Sequence, residues 1–133
     1  MTAGTILVIE DNALNSELIR DLLETGDFSI LQAGSAEEGL EMVRRTKPDL
    51  ILMDCGLPGI SGLRATVLLK NDPATADIPV IVLTAHAMKG DEKRAFEAGC
   101  DGYMVKPIDV RQFVPLITRF LHERSSTSNH IQT

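Results

Sequence analysis

The chain has few aromatic residues: they make up 4% of it, with no tryptophan and a single tyrosine, Tyr103. With aromatics this scarce, Tyr103 is read first as packing. Cationic charge is also in deficit. Thirteen Lys and Arg face 19 Asp and Glu, for a net charge of −6, which argues against the clustered basic surface that direct DNA binding needs. Only two cysteines are present, Cys55 and Cys100. They cannot form a disulfide framework and lack Cys-x-x-Cys spacing, so a reduced, cytoplasmic setting is expected. No apolar run approaches the roughly 20 residues of a membrane span. Met1 to Thr5 has neither the basic start nor the apolar core of a signal peptide.

What is there is ordinary globular material. Of 133 residues 44% are hydrophobic and 24% charged, enough for one compact domain with a genuine core. Apolar runs at Thr5–Ile9, Leu50–Met53 and Pro79–Leu83, with weaker ones at Ser29–Ala33 and Gly102–Val105, predict five strands. Between them, helical spacing predicts helices. Leu14, Leu18, Ile19, Leu22 and Leu23 mark the first, which Gly26 closes. Ser35 to Glu38 has capping-box spacing for a second helix, which runs to Arg45. Others follow Gly62 to about Lys70, span Gly90 to Ala98 with Gly99 as cap, and start at Asp109. Pro115 conflicts with a regular last helix and predicts either a kink or an irregular first turn. The alternation of strand and helix, with strands apolar at consecutive positions, predicts an α/β fold. Its parallel sheet is doubly wound and flavodoxin-like, a (βα)5 unit of five strands. We place the domain at 4–124 and read 125–133, rich in Ser and Thr, as a disordered tail. A truncated linker is the competing reading of that stretch.

Ligands of open α/β sheets bind beyond the carboxyl ends of the strands. Four of the five predicted strands end in a chemically useful residue: Glu10-Asp11, Asp54, Thr84 and Lys106. Two carboxylates about 4 Å apart repel by roughly 4 kcal/mol at an effective dielectric of 20. Three at one edge call for counter-charge. Lys106 supplies part of it, and a hard divalent cation with all-oxygen ligands, Mg²⁺ with Mn²⁺ as substitute, suits the rest. Carboxylate, hydroxyl, ammonium and Mg²⁺ together handle phosphoryl groups, with the carboxylate as acceptor.

These residues carry a resemblance. Glu10-Asp11-Asn12, Asp54 followed by Leu57-Pro58 and Gly62, Thr84-Ala85, and Lys106-Pro107 stand in order at the correct strand ends. The chain resembles the receiver domains of two-component response regulators, of CheY-like fold, over nearly its full length. The stretches from Glu10 to Asn15 and from Thr84 to Asp91 are similar to receivers of hybrid-kinase phosphorelays and to DivK-type single-domain regulators. The resemblance implies strand order 2-1-3-4-5 and Asp54 as phosphoacceptor. It implies Mg²⁺ on Glu10, Asp11, Asp54 and the Gly56 carbonyl. Thr84, Lys106 and the Ala85 backbone would bind phosphoryl oxygens, and the Lys106-Pro107 bond would be cis. Thr84 and Tyr103 would form a switch acting on the face of the fourth helix, fifth strand and fifth helix. Gly56 and His86 stand where the family tunes phosphate lifetime. Implied partners are a histidine kinase or histidine phosphotransfer protein, with Ala13 and Asn15 placed to meet it, and a downstream protein. The protein would be a monomer or a weak homodimer that catalyses only its own phosphotransfer and dephosphorylation.

Plainer readings stand beside each of these. Asp54 could cap a helix, Glu10 and Asp11 could be a solvated pair, and Lys106 and Thr84 could be ordinary strand-end residues. Tyr103 could be packing, His86 a loop residue, and both cysteines core. An Mg²⁺-dependent aspartyl phosphohydrolase would need a second acid near Asp54, but the text there is Asp54-Cys55-Gly56. A flavodoxin would need a phosphate-cradling loop where Glu10-Asp11 stands. A phosphate-independent pseudo-receiver would not need these acids, Thr84 and Lys106 together.

Overall fold

The computed structural model describes residues 4–55, 57, 59, 61–84, 89–106 and 108–132, with backbone only at 110 and 123–132. Five strands, β1 (Thr5–Ile9), β2 (Ser29–Ala33), β3 (Leu50–Asp54), β4 (Val80–Thr84) and β5 (Gly102–Val105), alternate with five helices. These are α1 (Ala13–Glu24), α2 (Ala36–Thr46), α3 (Gly62–Asn71), α4 (Asp91–Glu97) and α5 (Val110–Gln132). All strand pairings are parallel, in the order β2-β1-β3-β4-β5. The expected flavodoxin-like, doubly wound fold and its strand order are therefore the observed ones.

β1, β3 and β4 are continuous apolar runs because both faces of the sheet are covered there. Alternate residues serve opposite layers. Leu7, Ile9, Ile51, Met53, Val80 and Val82 meet Ala36, Val43, Ala65, Leu69 and Ala95 of α2, α3 and α4. Ile6, Val8, Leu50, Leu52, Ile81 and Leu83 meet Ile19, Leu23, Phe113 and Ile117 of α1 and α5.

Local chemistry sets the helix starts. Asn12, Ser35 and Ser61 each accept a backbone N–H three residues on, at 3.0–3.1 Å. Glu38 reaches back to the N–H of Gly34, one residue before the cap, so the capping box closes one position early. Asp109 accepts from the Arg111 N–H. The first turn of α5 is regular, with Phe113 N donating to the Asp109 carbonyl at 3.0 Å. Pro115 lies inside the helix at an exposed position, where water can serve the Arg111 carbonyl that a proline cannot. The backbone of α5 is helical to Gln132. Once nucleated, a helix gains one hydrogen bond for each residue it adds.

Candidate metal and phosphoryl site

Backbone pairing carries the strand-end residues one step past their strands. Glu10 N donates to the Ala33 carbonyl at 3.0 Å, Cys55 N to that of Leu83 at 2.9 Å, and Lys106 N to that of Thr84 at 2.7 Å. The carboxyl edge of the sheet is thus held rigid where it presents functional groups.

Three carboxylates meet there. Glu10, Asp11 and Asp54 each place an oxygen within 4.8 Å of the others. Glu10 and Asp54 are buried, and Asp11 is exposed. Lys106 Nζ donates to Glu10 Oε1 at 2.6 Å and stands 3.8 Å from Asp54 Oδ1. The Asn12 N–H donates to Glu10 Oε2 at 3.3 Å. Burial and the shared contact with Asp54 raise the Glu10 carboxyl above its ordinary range, against the pull of Lys106. A hard cation would relieve this crowding, and an all-carboxylate donor set matches Mg²⁺. The residues present therefore fit the ion.

Thr84 is buried at the end of β4, in register with Val105. Tyr103 pairs with Val82 in the ladder, and its ring packs against the α2–α3–α4 layer. Its hydroxyl is buried without a hydrogen-bond partner among the described residues. Ala13 is exposed and Asn15 half-buried on the first turn of α1. Gly56, Ala85, His86 and Pro107 lie outside the described residues.

Two features here were not singled out from the sequence. The first is the Glu10–Lys106 pair, which joins residues 96 apart. The second is the role of Gly62. A Cβ on Gly62 would stand 2.2 Å from the Asp54 carbonyl oxygen and 2.8 Å from Cys55 Cα. Only glycine lets α3 start this close beneath the phosphoacceptor candidate. The motif that follows Asp54 made Gly62 legible, but not as the residue that seats Asp54.

The family model for the response regulator receiver domain matches residues 6–118. The chain belongs to the response regulator receiver family. The receiver is 45% identical over 117 residues to the polar-differentiation response regulator DivK of Brucella ovis, covering 88% of this chain and 95% of that one. It is similar to the receiver domain of a sensor histidine kinase from Pseudomonas aeruginosa PAO1, at 28% identity and a TM-score of 0.83, over 90% of this chain and 98% of that one. That crystal structure has a magnesium ion coordinated in its active-site cleft. A CheY-like receiver from Methanospirillum hungatei shares the fold at a TM-score of 0.86 and 24% identity, covering 92% and 97% of the two chains.

Proposed function

We propose that this receiver accepts a phosphoryl group on Asp54 from a histidine kinase or histidine phosphotransfer protein and passes the signal on by protein contact. The observation that carries the reading is the meeting of Glu10, Asp11 and Asp54 within 4.8 Å beside the Lys106 ammonium. Glu10, Asp11 and Asp54 would hold Mg²⁺, with the Gly56 carbonyl as the further ligand the family implies. When bound, the ion neutralises and orients phosphoryl oxygens. An Asp54 carboxylate oxygen bonds to phosphorus as the phosphorus–nitrogen bond to the donor imidazole breaks, and that electron pair stays on nitrogen. Lys106, bonded to Glu10 and 3.8 Å from Asp54, needs only a small swing to meet the new phosphoryl oxygens. Thr84 and the Ala85 N–H would complete the oxyanion contacts.

The output face comprises α4, β5 and α5. Phe96 and Val105 stand 46% exposed on it, apolar surface suited to a protein partner. The phosphorylated form binds that partner better, with Thr84 and Tyr103 as the switch and Gly56 and His86 setting phosphate lifetime. The domain spans 4–124, acts in the cytoplasm, and serves as a switch, without turnover of an external substrate. Among the described residues no helix is long and apolar enough to cross a membrane.

The test is incubation with acetyl phosphate, with and without Mg²⁺, followed by intact mass beside Asp54→Asn. A single phosphoryl adduct that needs both Mg²⁺ and Asp54 is the expected result. Folded protein with no adduct and no released phosphate would make it a phosphate-independent pseudo-receiver. Continuous phosphate release from unrelated phosphomonoesters would make it a phosphohydrolase.

A further inference from the structure

β2 is an outer strand of the sheet, with β1 on one side and no strand among the described residues on the other. Ser29 N donates to the Gly4 carbonyl at 2.9 Å, and the Ala33 carbonyl accepts from Glu10 N at 3.0 Å. Residues of a parallel ladder face a given neighbour alternately. Ser29, Leu31 and Ala33 therefore face β1, and the N–H and carbonyl groups of Ile30 and Gln32 point outward. Among the described residues nothing meets those outward groups. The Gln32 side chain turns inward instead, its Nε2 donating to Ser16 Oγ at 2.6 Å and to the Ser16 carbonyl at 3.3 Å. The strand Ser29–Ala33 also lacks the usual guards of an edge: it has no proline, no charge and no bulge in its register.

The helices beside that edge carry charge in a definite order. α1 and α2 lie on opposite faces of the sheet, and each packs on both β1 and β2. A cleft of about 410 Å³ between α1 and the β2 edge is lined by Glu17, Arg20 and Gln32, which puts Glu17 and Arg20 on the outward flank of α1. On α2, the spacing of Glu38, Met42 and Arg45 places them on one flank. Glu38 Oε2 accepts the N–H of Gly34, which directly follows β2, at 3.3 Å, so this flank faces the same edge. Leu31 and Met42 are half-buried, and Glu17, Arg20, Glu38 and Arg45 are exposed. Arg20 also bonds Glu24 of its own helix at 3.1 Å.

We propose that the β2 edge pairs with the β2 edge of a second copy, antiparallel about a two-fold axis through Leu31, to form one continuous sheet. Ile30 then exchanges N–H and carbonyl bonds with Gln32 of the partner subunit, and the reverse, so every outward group is used. The axis stands perpendicular to the sheet, so α1 meets α1 and α2 meets α2, each pair antiparallel. A helix centred over the β1–β2 seam sits about 2.4 Å inside β2, and paired strands stand about 4.8 Å apart. Like helices are then about 9–10 Å apart, the spacing of packed helices. Glu38 meets the partner's Arg45, Glu17 meets the partner's Arg20, and Leu31 and Met42 meet their own mates at the axis. The flank of α2 is self-complementary because its first turn is acidic and its last turn basic. That order commits the edge to a second copy: a lone extended peptide would pair Ile30 and Gln32 but leave both helix flanks unmatched. The acid clusters lie at opposite ends of the joined sheet, and α4, β5 and α5 stay uncovered. The pairing does not depend on phosphorylation.

The test is sedimentation equilibrium of the full chain, without phosphodonor, from about 10 μM to about 1 mM. Hydrogen exchange is read at residue level by mass spectrometry over the same range. The wild type should show a monomer–dimer equilibrium, and the Ile30 and Gln32 amides should slow as the dimer fills. Arg45→Glu sets two carboxylates against each other at both ends of the α2 pair and should lower the association constant at least about tenfold. The double variant Glu38→Arg/Arg45→Glu restores the complementary order and should recover association. Circular dichroism checks that each variant is folded, and the wild-type exchange pattern decides the proposal by itself if one is not. A chain that stays monomeric to about 1 mM would overturn the proposal. So would a dimer in which Ile30 and Gln32 exchange as fast as in the monomer, because its contact lies on another face. A folded Arg45→Glu that associates as well as the wild type would refute the two-fold arrangement of α2.

Discussion

Replacing Tyr103 by phenylalanine removes one oxygen and leaves the ring packed against the α2–α3–α4 layer. In most proteins that change is neutral or destabilising, because a buried tyrosine hydroxyl has a partner. Here the hydroxyl is buried and has none among the described residues. A buried donor without a partner costs about 1–3 kcal/mol. Taking about 1–2 kcal/mol as recoverable, Tyr103→Phe should be more stable than the wild type. With 133 residues, the unfolding entropy is about 0.28 kcal/mol/K, so the midpoint should rise by about 4–7 °C. Thermal unfolding followed by circular dichroism in Mg²⁺-free buffer reads this directly. Tyr103→Leu, which also removes the ring, should fall below the wild type and serves as the contrast. A midpoint for Tyr103→Phe at or below that of the wild type would refute the reasoning, for it would mean that the hydroxyl is satisfied.

Other expectations are open to equally direct measurement. Gly62→Ala should lose about 1–3 kcal/mol through the clash with the Asp54 carbonyl, despite the better helix propensity of alanine, and should weaken Mg²⁺ binding in a titration. Lys47 holds φ +47° immediately before Pro48, so Lys47→Gly should gain about 0.5–1 kcal/mol in urea unfolding. Burial raises the Cys100 thiol to about 11 from 9.0; at pH 8 its thiolate is then about a hundredfold scarcer. Alkylation of native protein should leave Cys100 unmodified until denaturant is added. Glu10 binds its proton more tightly folded than unfolded. The stability it contributes is therefore full below about pH 4.3 and lost as pH rises through its raised value. Mg²⁺ needs the carboxylate, so its affinity should climb over that same window, with proton release measurable by calorimetry in buffers of different ionisation heat.

Much of this fold was legible because β1, β3 and β4 are unbroken apolar runs whose ends are marked by polar residues. Boundaries moved by a residue where backbone chemistry decides them. Pro79 offers its carbonyl to Ile51 N at 2.9 Å but has no N–H, so β4 starts at Val80. Gly26 is the stop of α1 that the sequence predicts, yet the left-handed turn belongs to Asp27, at φ +61°. The candidate site was legible for the same reason as the strands: each of its residues directly follows an apolar run. Glu10–Lys106 and Gly62 beneath Asp54 were not legible, since each depends on elements that only the folded sheet brings together.

The pairing of Glu10 with Lys106 also bears on synthesis. The acids sit on β1 and β3, neighbours in the sheet, while the ammonium arrives from β5, with β4 between. A nascent chain extruded only as far as β4 holds the mutually repelling carboxylates without the lysine that offsets them. Docking of the last strand both completes the sheet and brings an ammonium that offsets part of the charge at its edge.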